Sequence, residues 1–323
     1  MPKPRDELVN ADPALREDKE FVLAAVKQNG KALRHAAPAL QDDEAVVAVA
    51  LLQAPIALEF AAPRLRAEKD IVLSAVKRNG SALRFAAEAL QADEEVVGAA
   101  LSQYGRALEH AAPKFKNDKV VVLAAIAQNA TALEFAAEKF KKNQEVVLAA
   151  VSKTGDALKY AASSLKNDRA VVLAAVKQNG YALRHASSAM KENREVVLAA
   201  IARNAGALEH AAPVLREDRE LVLAAVARSG SAFAHAAPAL KADEAFVVAA
   251  AERSGGVLQH ATRTLRTKRT VVLKAVKQSG NALRFASADM NEDRPIVSLA
   301  LDQRGVALKH VAPALKAEKG VVL

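Results

Sequence analysis

Cysteine is absent from this 323-residue chain. Disulfide scaffolds, thiol catalysis, zinc–thiolate sites and iron–sulfur clusters are thereby excluded. The absence fits a reducing compartment, and the expectation is an intracellular, soluble protein. Aromatic residues make up only 4% of the chain, and much of its 51% hydrophobic content is alanine. Such a composition builds thin buried layers, not one thick core. No stretch reaches the ~18 apolar residues that signal a membrane-spanning helix. The opening Met1-Pro2-Lys3-Pro4-Arg5-Asp6 has no hydrophobic signal region. Insertions are missing too, and that absence is the most informative.

What is present is one 25-residue unit repeated twelve times without a slip in register. Its A-L-x-[HFY]-A-A segment carries Leu33, Leu58, Leu83, Leu108, Leu133, Leu158, Leu183, Leu208, Phe233, Leu258, Leu283 and Leu308. An unbroken period of this length predicts a stacked solenoid. It overrides the two domains that length alone suggests. With helix axes ~8–10 Å apart, twelve units predict a rod or superhelix on the order of 100 Å along its path. The formal charge is +9. That permits an acidic protein, nucleic acid or anionic membrane surface as partner, and requires none.

Residues 18–42 define the register. The Asp18 column is Asp, Asn or Glu at every unit except Lys268. A short acidic or amide side chain before an apolar run is a helix N-cap. Pro295 falls where a first turn tolerates proline. The spacing predicts a first helix over about Lys19 to Gln28. Its Val22 and Ala25 columns have no exception, and an invariant alanine in an apolar stripe predicts close helix approach. The Gly30 column is glycine in nine of twelve units, with Pro55, Ala130 and Ala205 as exceptions. Glycine there predicts a left-handed helix end. A second helix is expected over about Lys31 to Ala37, with a core face of Leu33, Ala36, Ala37 and Leu40. Proline follows at Pro38, Pro63, Pro113, Pro213, Pro238 and Pro313, shortening or bending that helix. Two helices of about ten residues are marginal alone in water, so neighbouring units must stabilise each other.

A weaker 50-residue period overlies the first. Lys27-Gln28-Asn29-Gly30 returns as Lys77-Arg78-Asn79-Gly80, Lys177-Gln178-Asn179-Gly180 and Lys277-Gln278-Ser279-Gly280. Arg34, Arg84, Arg184 and Arg284 follow seven residues after each lysine. Leu8, Pro13 and Leu15 match the second half of a unit, and Gly320-Val321-Val322-Leu323 begins another. The last element carries no polar cap, so the array is expected to be part of a longer chain.

The pattern D-[KR]-x-V-V-L-A-A-V-K-Q-N-G-x-A-L-R-[HF]-A resembles the alanine-rich helical repeat family known as domain of unknown function 4116. The resemblance covers nearly the whole chain. That family's unit is about two of the present repeats, which suits the 50-residue alternation. It implies a helical array, often part of larger proteins, with no catalytic residues to carry over. Units containing Pro55, Gly98 or Gly256 depart from the pattern.

All seven histidines, His35, His110, His185, His210, His235, His260 and His310, share one column with Phe60, Phe85, Phe135, Tyr160 and Phe285. The consecutive rungs His185 to His260 could form a metal or proton ladder. Interchange with phenylalanine favours a flat ring at a packing boundary, and no metal site is expected. The variable Gln28 and Asn29 columns have the placement of modular nucleic-acid readers. Solvated turn residues are the plainer reading, since only Tyr104 and Tyr181 offer bases a stacking surface there. The basic column of Arg16, Arg66, Lys116, Lys141, Lys166, Lys191, Arg216, Lys241, Arg266 and Lys316 reads as a solvated edge neutralised by the N-caps two residues on. No nucleophile–base pair, phosphate loop or carboxylate dyad stands out, and no residues break the repeat together in one place. Catalytic residues, a cofactor and a small-molecule substrate are therefore not expected.

The expected fold is an all-α solenoid of about twelve 25-residue two-helix repeats forming an elongated superhelix. It is expected to span 1–323 as a single array, with partial repeats at 1–17 and 318–323. The expected function is a non-catalytic binding scaffold or linker subunit docking a protein partner. The alternative is a nucleic-acid-binding array that uses a basic edge and the inter-helix loops. Recurrence singles out Lys27, Arg34, Lys77, Arg84, Lys177, Arg184, Lys277 and Arg284 as candidate contacts, with an acidic protein surface opposite them.

Overall fold

The computed structural model describes residues 8–303 and 305–316. The partial unit expected at 318–323 lies outside the described residues. The contacts divide the chain into two units, Met1–Ala162 and Ser163–Leu323. Both are all-α among the described residues. The leading helices of the first unit are Lys19–Gln28, Glu44–Gln53, Lys69–Val76, Glu94–Gln103, Lys119–Gln128 and Gln144–Lys153. Those of the second are Arg169–Gln178, Arg194–Arg203, Arg219–Arg228, Glu244–Arg253, Arg269–Gln278 and Arg294–Gln303.

Each repeat holds three helical segments, not the expected two. After the leading helix comes a six-residue 3-10 helix, as at Gly30–His35, and then one α-turn, as at Pro38–Gln41, or a second 3-10 turn, at Leu265–Thr267 and Ala288–Asn291. The expected second helix over Lys31 to Ala37 is therefore corrected. The reason lies at the Ala36 and Ala37 columns. Both residues are extended, with ψ of 152° and 149°; proline favours this at Ala37, but Ala87 and Ala137, each before glutamate, adopt it too with ψ of 150° and 148°. Proline does not shorten the preceding helix; it opens the next one, where its missing N–H costs nothing.

Breaking the helix frees the Ala37 amide, and the fold uses it between repeats. Ala37 N–H donates to Arg16 O at 2.9 Å, Ala62 to Gln41 O at 2.9 Å, and Ala87 to Arg66 O at 2.8 Å. In the second unit Ala212 donates to Lys191 O and Ala237 to Arg216 O, both at 3.0 Å. One backbone bond per repeat thus ties successive closing turns together.

Glycine in the Gly30 column serves close approach. No described glycine has positive φ, so the expected left-handed cap is absent. A Cβ at Gly30 would lie 2.2 Å from Ala50 O in the next leading helix, and one at Gly180 2.3 Å from Ala200 O. The 3-10 helix of one repeat presses against the leading helix of the next. The Ala25 column is on the other side of that contact. From Ala50 to Ala300 it is fully buried; only Ala25, in the first leading helix, is half-buried. The Val22 column is buried throughout, and Leu33 to Leu283 are each 0% exposed. Each such leucine contributes about 1.5–3 kcal/mol by burial. Phe233 replaces leucine there and stacks on Phe246 at 6.2 Å.

The departures at Pro55, Gly98 and Gly256 leave the segment boundaries in place: Pro55–Phe60, Glu94–Gln103 and Gly255–His260. The N-caps form as expected at most positions. Asp18 accepts from Phe21 N–H at 2.8 Å, and Asp243 from Phe246 N–H at 2.8 Å. Glu68 makes no such bond and neither does Lys268; glutamate is one methylene too long to fold back on its own helix start.

Candidate binding surfaces

The columns that vary most make structural contacts in several repeats, although Tyr104, Thr154, Asn204, Ser229, Ser254 and Ser279 do not cap their 3-10 helices. Asn29, Asn79, Asn129 and Asn179 each accept from a backbone N–H two residues on, capping the 3-10 helix. The long polar side chains of the Gln28 column reach back to the previous repeat. Arg78 donates to Leu52 O at 2.7 Å, Gln128 to Gln103 O at 3.1 Å, and Arg203 to Gln178 O at 3.1 Å. Gln128 Oε1 also accepts from Gly105 N–H at 2.7 Å. Carbonyls left unpaired at a helix C-terminus thereby gain donors from the next repeat. A glutamine, lysine or arginine can each do this, which explains the variation without a ligand.

The Arg16 column is likewise not a solvated edge. Lys116 Nζ donates to Glu109 O at 2.6 Å and Lys316 to Lys309 O at 3.2 Å. Lys241 reaches Ala234 O, and burial pushes its ammonium below the usual lysine range. Gln41 and Gln91 occupy the same column and bond the same carbonyls. These side chains close the 3-10 helix. The N-cap carboxylates therefore find their cations elsewhere, in the Lys19 column one repeat back. Lys19 pairs with Asp43 at 2.6 Å, and Lys69 with Asp93 at 3.0 Å and Glu95 at 2.9 Å. Arg194 pairs with Asp218 and Glu220, both at 2.9 Å, Arg219 with Asp243 at 2.6 Å, and Arg269 with Asp293 at 2.7 Å. The Lys19 ammonium and the Val46 amide hold Asp43 below the usual carboxylate range. The Val96 amide and Lys69 do the same for Asp93.

Lys27, Arg34, Lys77, Arg84, Lys177, Arg184, Lys277 and Arg284 are all exposed. Each lysine ends a leading helix and each arginine lies on a 3-10 helix. The Arg84 guanidinium lies 4.2 Å over the Phe85 ring, and that of Arg284 lies 5.0 Å over Phe285. Arg184 Nε donates to His185 Nε2 at 2.9 Å. The histidines are half-buried at the same column as these rings. Burial lowers His35, His110, His210, His260 and His310 below the usual imidazole range. Among the described residues no group of three or more His, Asp or Glu could hold a metal ion.

Repeat-breaking residues do gather, contrary to expectation, in one place in the first unit. Gly98, on Glu94–Gln103, and Val120, on Lys119–Gln128, line an open groove of about 580 Å³ with Val97, Leu101, Phe115, Val121 and Ala124. The Gly98 column is leucine in eight of twelve repeats. A Cβ at Gly98 would meet nothing within 4 Å, so the missing leucine leaves the space open. The Val120 column carries acids in half of the repeats, yet Val120 is 77% exposed. Glu94 and Asp118 stand on the rim. Glu94 occupies the Lys19 column, where a cation would otherwise pair with the next N-cap. The two substitutions fall in different repeats, 22 residues apart. Reading columns one by one hides the pair; reading each repeat against the next would have found it.

The geometry defines an all-α repeat array in which, within each unit, successive repeats stack through their leading and 3-10 helices. The chain belongs to the family described as Domain of unknown function (DUF4116), whose model matches residues 7–41, 43–91, 93–141, 143–191, 193–241, 218–266, 243–291 and 268–316. Up to residue 193 the matches step by about 50 residues; beyond it they step by 25 and overlap. Neither the curated proteins nor the solved structures contain a match to the chain. No described helix is long and apolar enough to cross a membrane.

Proposed function

We propose that this array is a non-catalytic binding scaffold, a linker subunit that docks a protein partner within a larger assembly. One observation carries the reading: cations of the Lys19 column pair with carboxylates of the next repeat, and several of the Arg16 column bond backbone carbonyls. Lys116 and Lys241 bond backbone carbonyls, and Lys69, Arg194 and Arg219 bond carboxylates of the next repeat. A nucleic-acid binder needs a run of free cations along the backbone it tracks. Here the net charge of +9 is dispersed over sites separated by acids such as Glu59, Glu109 and Glu209. The recurring exposed cations, Lys27, Arg34, Lys77 and Arg84 in the first unit and Lys177, Arg184, Lys277 and Arg284 in the second, suit an acidic protein surface. An intracellular setting belongs to this reading, and a cysteine-free composition is compatible with it.

The test is capture of cross-linked partners from native extract, with and without nuclease, by the wild-type chain and by a variant carrying Arg34, Arg84, Arg184 and Arg284 as glutamate. The expected result is a nuclease-resistant protein whose binding weakens, and loses salt dependence, in the variant. Capture abolished by nuclease, with tight binding of purified oligonucleotides at physiological salt, overturns the reading in favour of a nucleic-acid array.

A further inference from the structure

We propose that the groove at Gly98 docks an amphipathic helix of a partner protein, one that inserts a large apolar side chain and sets a lysine or arginine beside Glu94 and Asp118. The proposal rests on the protein-scaffold reading and assigns it a second site, distinct from the exposed cations.

The apolar part of the argument is subtraction. Leu73 and Leu123, in the Gly98 column of the flanking repeats, cover the outer side of their helices. Gly98 removes that cover between two adjacent leading helices. The walls are then Val97, Leu101, Val121, Ala124 and Phe115, and Val120 extends the apolar surface past the rim. At about 580 Å³ the space suits a bulky side chain with room for its neighbours. It is open along one side, which favours an anchor carried on a continuous helix over an enclosed small molecule.

The charged part is a missing partner. At the rungs Lys19–Asp43 and Lys69–Asp93 a cation of one repeat meets the N-cap carboxylate of the next. At the groove that rung reads Glu94 and Asp118, two carboxylates with no ion pair among the described residues. Asp118 is held by the Val120 and Val121 amides alone. One 50-residue period earlier the same acid–acid rung, Glu44 and Glu68, has its own cation: Arg64 lies 3.1 Å from Glu44 and 3.9 Å from Glu68. Lys114 replaces Arg64 at the groove, and its ammonium sits 4.8 Å over the Phe115 ring instead. The rim is thus short of one positive charge beside an unfilled apolar notch. A basic residue one helical turn from an apolar anchor satisfies both.

The experiment selects a randomised twelve-residue helical peptide library against the full chain, with Gly98→Leu and Glu94→Lys as counter-targets. Gly98→Leu installs the residue that eight repeats already carry, and circular dichroism verifies that both variants fold. Enriched peptides are expected to pair an aromatic or aliphatic residue with a lysine or arginine three or four positions away. They are expected to bind at least tenfold more weakly to each variant. No enrichment over Gly98→Leu, or enrichment of acidic or uncharged peptides, overturns the proposal. So does concentration-dependent self-association that Gly98→Leu abolishes, because the occupant would then be a second copy. The two readings fail separately. A native partner that binds wild type and Gly98→Leu equally removes the groove and leaves the scaffold. Nuclease-sensitive capture removes the scaffold reading whatever the peptides do.

Discussion

The second unit repeats the groove's position 150 residues later, with different walls. There Glu244, Ala245, Val248, Thr270, Leu273 and Lys274 line an open depression of about 670 Å³. Val248 stands where Gly98 does, Thr270 where Val120 does, and Lys274 where Ala124 does. Glu244 matches Glu94 but is engaged: Thr270 Oγ1 donates to it at 2.9 Å, and Lys268 Nζ lies 3.9 Å away. Lys274 pairs with Glu252 at 2.6 Å. The comparison teaches that the backbone supplies similar space between leading helices in both units. A few side chains then decide whether the charges on its rim are bridged internally, as at Glu244 and Lys274, or left without an ion pair among the described residues, as at Glu94 and Asp118.

If the scaffold beneath the two sites is the same, overpacking it should hurt both equally. Ala125 and Ala275 are fully buried, and their carbonyls approach Gly105 and Gly255 so closely that a Cβ there would lie 2.3 Å and 2.5 Å away. Ala125→Leu and Ala275→Leu should each cost about 1–3 kcal/mol, read as a lower urea midpoint. A loss at one site alone would break the equivalence. The exchange of surface residues should follow with opposite signs. Gly98 interrupts the middle of a helix, where glycine costs about 1 kcal/mol relative to alanine. Valine is itself a weaker helix former than alanine, so Gly98→Val should raise stability by about 0.5 kcal/mol, and Val248→Gly should lower it, both read by thermal melting. Equal and same-signed shifts would mean that Gly98 is compensated locally.

Much of this architecture is legible in the columns, and the failures have one cause. Val22, Ala25 and Leu33 announce a buried stripe because burial acts on every repeat alike. Helical periodicity cannot separate a ten-residue α-helix from a 3-10 helix followed by one α-turn, because Leu33, Ala36, Ala37 and Leu40 satisfy either. The deciding event is the Ala37 N–H bonding a carbonyl 21 residues back, a contact between repeats. Gly30 was readable as special, but its reason is the Ala50 carbonyl of the next repeat. The Lys19–Asp43 ladder and the Gly98–Val120 groove are inter-repeat features too. A sequence read one unit at a time shows each half and not the pairing.

Lys268 sharpens that point. It breaks the N-cap column, yet the rung it forms has its charges exchanged: Glu244 precedes it where Arg219 precedes Asp243. Lys268→Asp should gain a cap worth about 1 kcal/mol while facing Glu244 with a like charge. Adding Glu244→Lys should release the repulsion, so the double variant should melt above Lys268→Asp. The coupling, on the order of 0.5 kcal/mol for an exposed pair, is read from a double-mutant cycle. Additive effects would show that the two residues do not sense each other.

The smallest expected difference between the units is their response to acid. The second unit holds five histidines of the shared column; the first holds His35 and His110 and otherwise uses Phe60, Phe85, Phe135 and Tyr160. Burial lowers His210 and His260 below the usual imidazole range. A lowered folded-state value means that the unfolded chain takes up its proton first. Their contribution is therefore fully present above the unfolded value of about 6.5 and is lost as pH falls through the lower folded value. Hydrogen exchange should show the second unit losing more protection than the first between neutral and mildly acidic pH. His210 sits edge-on to Tyr181 with ring centroids 6.2 Å apart, a contact that phenylalanine can keep. His210→Phe should thus be within about 0.5 kcal/mol of wild type at neutral pH and more stable than wild type in acid. Phe60→His, at the matching position of the first unit, should do the reverse. If His210→Phe instead lowers stability at neutral pH, and zinc or nickel rescues only the wild type, the column is a ligand ladder and not a row of interchangeable rings.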